Sequence, residues 1–230
     1  MSAADWPARF VRERLGYEAR DLTLFSAALT HRSAAAANNE RLEFLGDAVV
    51  NLVVARALYQ AFPGASEGDL SRLRARLVSR EPLAEIAGEL SLGEELRLGS
   101  GELKSGGFRR QSILADAFEA LCGAMFLDGG LAAAEAVLMR LFTARIAALP
   151  APEALKDAKT RLQEYLQSRS LELPSYAVAL VEGQDHEQSF TVKCEVPALQ
   201  LATSGQGTSR RRAEQEAAER MIEALGTRSD

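Results

Sequence analysis

Cysteine and histidine are scarce in this chain, with two of each in 230 residues. Cys122 and Cys194 lie far apart, which excludes a disulfide framework and offers no zinc-ligand spacing. A chain without disulfides fits a reducing cytoplasm. His31 and His186 are the only histidines, and neither follows a glutamate by three positions. The Glu-x-x-His pairs of a di-iron helix bundle are therefore missing. No histidine neighbours a serine or cysteine in a recognisable nucleophile motif either. No apolar run approaches the ~18 residues that span a bilayer, and the opening MSAADWPARFVRERLGY lacks the apolar stretch of a secretory signal. The expectation is a protein with no membrane partner and no small-molecule organic cofactor. Positive charge is also in deficit: 27 Lys and Arg stand against 32 Asp and Glu, for a net charge of -5. Residues 1–150 hold 17 against 19 and residues 151–230 hold 10 against 13. The basic domain that usually marks a polyanion binder is absent. Any such site must depend on where the cations sit.

What is present is ordinary globular composition, 47% hydrophobic and 26% charged. Apolar residues recur at helical spacing over 41–61, 69–90, 111–127 and 131–148. Gly- and Ser-rich pieces at 62–66 and 99–107 separate them. No alternating strand pattern occurs before Pro150, and residues 149–153, with two prolines, resemble a linker. The pattern then changes. A helix over 157–169 is followed by alternation over 174–181, 189–196 and 198–203, which predicts three antiparallel strands. A last helix over 210–225 offers Ala213, Ala217, Ala218, Met221, Ile222 and Leu225 to a core. The fold expected is an all-α domain (1–149), a linker (150–155) and a small α+β domain of α-β-β-β-α order (156–226).

Chemistry concentrates on two helices. Glu40, Glu43 and Asp47 fall on one face of the first. Leu42, Leu45, Val49 and Leu52 point the other way, toward a core, while Phe44, Val50 and Val54 flank the acidic face. A helix so apolar is buried or lies at an interface, where three carboxylates repel one another and resist desolvation. Arg41 and Arg56 offer the alternative of a solvated ion-paired face. On the second helix Asp116 and Glu119 share a face with Gly123, where a missing side chain lets another helix or a substrate approach. No Lys or Arg occurs between Ser112 and Met139, so ion pairing along this helix explains little. Two apolar helices with carboxylate pairs suit an all-oxygen site for a hard cation such as Mg²⁺.

The run Glu40-Arg41-Leu42-Glu43-Phe44-Leu45-Gly46-Asp47-Ala48 resembles the signature of the bacterial ribonuclease III endonuclease domain. His31-Arg32-Ser33 before it, Glu67-Gly68-Asp69-Leu70-Ser71 after it and the run from Gly107 to Asp116 agree in order. The resemblance implies that Glu43, Asp47, Asp116 and Glu119 hold Mg²⁺, with Asp47 and Glu119 at the chemistry. It implies that Glu40 and Glu67 line the same acidic valley and that Phe44 docks into a partner subunit of a homodimer. Glu67 also suits a plain helix start, and Phe44 a plain core position. Residues 156–226 resemble the double-stranded-RNA-binding domain of the same enzymes. Gln163 and Glu164 then reach 2′-hydroxyls in one minor groove, and His186 enters the next. Arg210, Arg211 and Arg212 need no family to be informative. Cations at a helix N-terminus oppose its dipole unless an anion such as phosphate sits there. The implied activity is Mg²⁺-dependent cleavage of double-stranded RNA to 5′-phosphate and 3′-hydroxyl ends, in the maturation of ribosomal and some messenger and transfer RNA precursors. The alternative is a dimer that only holds duplex RNA, but six acids facing a polyanion argue against binding alone.

Overall fold

The computed structural model describes residues 6–151, 156–183 and 188–226. The chain divides into two compact units, residues 1–152 and 153–230. In the first, α1 (Trp6–Leu15), α2 (Leu22–Ala28), α3 (Glu40–Ala61), α4 (Glu67–Val78), α5 (Arg80–Glu89), α6 (Leu92–Glu95), α7 (Ser100–Lys104) and α8 (Gln111–Ala147) follow in order. A single bridge between Thr30 and Arg97 is the only β-type pairing there among the described residues.

α3 and α8 pack against each other as the central pair, with α5, α4 and α2 around them. Phe25, Phe118 and Phe142 are fully buried, each contributing on the order of 2–3 kcal/mol of burial free energy. α8 joins the two segments expected over 111–127 and 131–148, and Gly130, at φ 78°, kinks it between them. Contrary to the reading that no apolar stretch is long enough, α8 has the length and hydropathy of a membrane-crossing helix. Its buried face lies in the protein core, and it carries Asp116 and Glu119.

The single helix expected over 69–90 is two. Ser79 is extended at ψ 165° and separates α4 from α5. Pro82 explains the break, because it has no N–H for a continuing ladder but is tolerated in the first turn of a new helix. α4 opens with a capping box in which Ser66 and Asp69 satisfy each other's backbone N–H groups. Leu52, expected in the core, is exposed. α3 turns that side outward, toward an apolar surface described below.

In the second unit, α9 (Ala158–Ser168), β1 (Ser175–Glu182), β2 (Ser189–Val196), β3 (Leu201–Gly207) and α10 (Arg210–Gly226) form the α-β-β-β-α order. The sheet is antiparallel in the order β1-β2-β3. Leu162 and Leu166 of α9, Cys194 and Val196 of β2, and Ala217, Ala218 and Met221 of α10 make its core. Ile222 is only partly buried at its edge. The third strand starts later than its alternation suggested. Residues 197–199 form a 3₁₀ turn led by Pro197, and Gln200 is left-handed at φ 52°. Gly205 and Gly207 close β3, just before the helix expected from 210.

Candidate metal centre and nucleic-acid interface

Two glycines bring the acidic helices together. A Cβ on Gly46 of α3 would overlap the backbone carbonyl of Glu119 on α8, and one on Gly123 would overlap the carbonyl of Leu42. The helices therefore touch backbone to backbone, which places Glu43 beside Asp116 and Glu119. One carboxylate oxygen from each of these three lies within 4.8 Å of the other two. Gly123 thus admits a helix, one of the two occupants its position allowed.

Burial acts on all three acids, and neighbouring carboxylates add to it at Glu43 and Glu119. Glu119 is pushed up to about 8, first by burial and then by the charges of Asp47, Glu43 and Asp116. Glu43 is raised by burial, Asp116, Glu40 and Asp47, against the opposing Arg32. Asp116 is raised by burial in spite of Arg80, His31 and Arg32. α8 lacks basic residues here, and these cations come from elsewhere in the chain. Three carboxylates that cannot all ionise cheaply are a donor set for a divalent cation, which would favour their charged forms. All-oxygen ligands suit a hard ion.

Asp47 stands one turn further along α3, exposed, with its Oδ1 accepting from Asn51 Nδ2 at 2.7 Å. It lies outside the converged three, although its charge reaches Glu119. Glu40, Glu43 and Asp116 line a cleft of about 320 Å³ together with His31, Arg32, Asn39, Glu102, Arg110, Ser112 and Ile113. Glu67 is not among its lining residues. Glu67 sits in the first turn of α4, where Ser71 Oγ donates to it at 2.8 Å. Arg32 pairs with Glu40 at 3.3 Å, and Arg110 with Glu102 at 3.0 Å. Asn39 is 2% exposed, and its Nδ2 has no hydrogen-bond partner among the described residues. Leaving a buried donor unpaired costs on the order of 1–3 kcal/mol. Sequence reasoning did not assign Arg32, Asn39, Arg80, Glu102 or Arg110 to the site. Arg32 and Arg110 stood inside quoted motifs, but no spacing rule links them to α3 and α8.

Phe44 is 83% exposed and Tyr59 71%. Phe44 borders an apolar groove of about 1010 Å³ whose lining includes Leu24, Ala27, Leu42, Leu45 and Leu127. Phe44 is therefore not a core residue.

In the second unit, Gln163 is exposed on α9 and shares a surface hollow with Lys159, Thr160 and Arg211. Glu164 accepts from Lys156 Nζ at 2.6 Å. Arg210, Arg211 and Arg212 are exposed at the start of α10. Arg210 Nε donates to Glu214 at 2.8 Å, and Ser209 Oγ accepts from the Arg212 N–H at 3.3 Å. His186 lies outside the described residues.

Residues 21–146 match the Ribonuclease-III-like family model, and residues 158–225 match the double-stranded RNA binding motif. The chain belongs to the ribonuclease III family. Ribonuclease 3 of Thiobacillus denitrificans is 59% identical over 208 residues, covering 90% of this chain and 92% of that protein. Ribonuclease 3 of Pseudomonas fluorescens is 56% identical over 219 residues, covering 95% of each. Among solved structures, the nuclease domain of ribonuclease III from Campylobacter jejuni aligns with a TM-score of 0.58 at 42% identity. That alignment covers 62% of this chain and 97% of that one. A second structure of the same domain aligns at 0.57 and 44%, covering 59% and 95%, and is described as flexible in a region involved in dimer formation. Family membership makes the converged acids of α3 and α8 the metal-binding candidates of a metal-dependent nuclease.

Proposed function

We propose that this ribonuclease III family member is an endonuclease that cuts double-stranded RNA with Mg²⁺, and that Glu43, Asp116 and Glu119 are its principal metal ligands. The observation that carries this reading is the convergence of their oxygens within 4.8 Å at the α3–α8 contact. Bound there, Mg²⁺ would supply Lewis-acid catalysis of phosphodiester hydrolysis. Asp47 joins the set by turning away from Asn51, and Glu40 holds Arg32 at the rim of the cleft. Glu67 is assigned to the same acidic valley by the family resemblance alone, since it does not line the cleft. Water adds to phosphorus, the P–O3′ bond breaks, and the departing 3′ oxygen takes a proton. The products are 5′-phosphate and 3′-hydroxyl ends. Asp47 and Glu119, the acids nearest the chemistry in this scheme, orient the attacking water and accept its proton.

Residues 156–226 form the binding domain and residues 1–149 the nuclease, joined by 150–155. Gln163, Glu164, His186 and Arg210 to Arg212 grip the A-form duplex through 2′-hydroxyls and phosphates over about 16 bp. Phe44 and the groove beside it form the two-fold interface of a homodimer. Precursors of ribosomal RNA and some messenger and transfer RNAs are the cytoplasmic substrates.

Glu119→Ala separates chemistry from binding. The expected outcome is loss of cleavage with duplex affinity retained in a gel shift. Cleavage at the unaltered rate would remove Glu119 from the metal site.

A further inference from the structure

We propose that the cleft carries, beside the carboxylates, a subsite for a second backbone phosphate of the RNA strand, built from Arg110, Arg32, the Asn39 carboxamide and the first turn of α8. The proposal rests on the nuclease reading of the same cleft and adds to it a contact that fixes the strand.

α8 begins after Arg110, whose side chain makes no capping hydrogen bond to its first turn. Its first turn contains no acidic residue. Ser112 and Ile113 of that turn line the cleft. An uncapped helix start presents N–H donors and the positive end of the dipole to an anion. Water could satisfy such a start, so the helix alone decides nothing.

Asn39 is the independent observation. Its backbone N–H donates to Thr30 and its carbonyl accepts from Glu43 at 2.8 Å, so the backbone is engaged. Asn39 lines the cleft, and its buried Nδ2 has no hydrogen-bond partner among the described residues. Buried donors are nearly always paired, and an orphan calls for a ligand or an ordered water.

Two guanidiniums complete the donor set. Arg110 is held in place, with Nη1 3.0 Å from Glu102, which also lines the cleft, and Nη2 3.4 Å from Ser105 Oγ. Arg32 is held by Glu40. An arginine has five N–H donors in a rigid fork, so one carboxylate does not exhaust it. The loop bearing Arg32 is fixed as well: His31 N–H donates to the Arg97 carbonyl at 3.0 Å and Gly99 N–H to Ser33 Oγ at 2.9 Å.

Ser112 lies one helical turn, about 5.4 Å, before Asp116. The donors therefore face a different phosphate from the one at the carboxylates. Glu40, Glu43, Glu102 and Asp116 in the same cleft repel a free anion. The occupant is a phosphodiester delivered on a duplex strand whose neighbouring phosphate meets the metal. Such a contact sets register without reading bases.

The test uses the full chain carrying Glu119→Ala, which binds without cutting under the proposed function. Arg110→Ala and Asn39→Ala are added singly, and duplex RNA binding is measured in Mg²⁺ across a salt series. Arg110→Ala should weaken binding several-fold and flatten the log–log salt slope by about one unit, as for one lost phosphate contact. Asn39→Ala should weaken binding while the melting temperature stays near the parent's, because the Asn39 side chain makes no capping hydrogen bond to α3 whose loss would cost the helix. Duplexes carrying one neutral methylphosphonate, on a 2′-deoxy nucleotide near the cleavage position, complete the cycle. At one position the neutral linkage should cost the parent several-fold and cost the Arg110→Ala protein nothing further. Unchanged affinity and salt slope in both variants would overturn the subsite, as would losses that add fully at every position. Failure of the nuclease reading shows separately, as cutting by Glu119→Ala itself.

Discussion

Glu119 shows how much one side chain owes to its surroundings. Burial and three neighbouring acids push it up to about 8, so at pH 7 the metal-free protein holds it largely protonated. Binding of Mg²⁺ should expel that proton. Calorimetric titration with Mg²⁺ at pH 7, in two buffers of different ionisation enthalpy, should show proton release that fades above pH 8 and is strongly reduced in Glu119→Gln. Equal apparent enthalpies in both buffers for the parent protein would contradict the assignment. The stability linkage has a definite sign. Between the ordinary carboxyl value and about 8 the folded state binds more protons than the unfolded chain. Metal-free stability should therefore fall as pH rises through that window, and Mg²⁺ should reverse the fall. At this scale Glu43, Asp116 and Glu119 were legible as candidates, because carboxylates at i, i+3 on apolar helices are conspicuous in a sequence. Asp47 and Glu67 were expected there too and lie outside the converged three. Arg80, which opposes the rise of Asp116, was not legible, since it reaches α8 from the start of α5.

At the scale of elements, the site depends on how closely α3 and α8 approach. Gly46 and Gly123 set that distance, each facing a carbonyl of the opposite helix. Gly46→Ala gains about 1 kcal/mol of helix propensity. It must also push Glu119 and its backbone away, at about 3 kcal/mol or more. The steric term wins. Urea unfolding should show a net loss of about 2 kcal/mol or more, and the displaced carboxylates should bind Mg²⁺ more weakly. A Gly46→Ala protein with full stability and undiminished Mg²⁺ affinity would show that the helix contact does not set the site. Helix type was readable from periodicity, including both halves of α8 around Gly130. The boundaries that failed share a cause in turn chemistry. Pro82 demands a fresh helix start after Ser79. Pro197 and the left-handed Gln200 turn apparent alternation into a turn before β3. Gly123 was read as a point of close approach, but which element would approach it is a matter of tertiary packing.

At the scale of the whole molecule, the nuclease unit leaves an apolar stripe uncovered. Phe44, Leu52 and Tyr59 are exposed along α3, and Leu127 joins Phe44 at the neighbouring groove. Exposed apolar surface of this kind marks an interface. Residues 1–149 alone should sediment as a dimer at tens of micromolar, and Phe44→Ala should shift that fragment toward monomer. A clean monomer of the unaltered fragment would refute the interface. The sequence flagged Phe44 through resemblance alone, since periodicity equally allowed a core position. Two patterns of different grammar meet near Pro150 in the sequence, and the compact units of the structure run over 1–152 and 153–230. The central claim is that the acidic centre cuts duplex RNA only with a bound divalent cation. Its most direct test is incubation of the full chain with long double-stranded RNA in Mg²⁺, in excess chelator, and after Mg²⁺ is restored. The account predicts short duplex products with 5′-phosphate and 3′-hydroxyl ends in the first and third conditions and intact RNA in the second. Undiminished cleavage in excess chelator would contradict it.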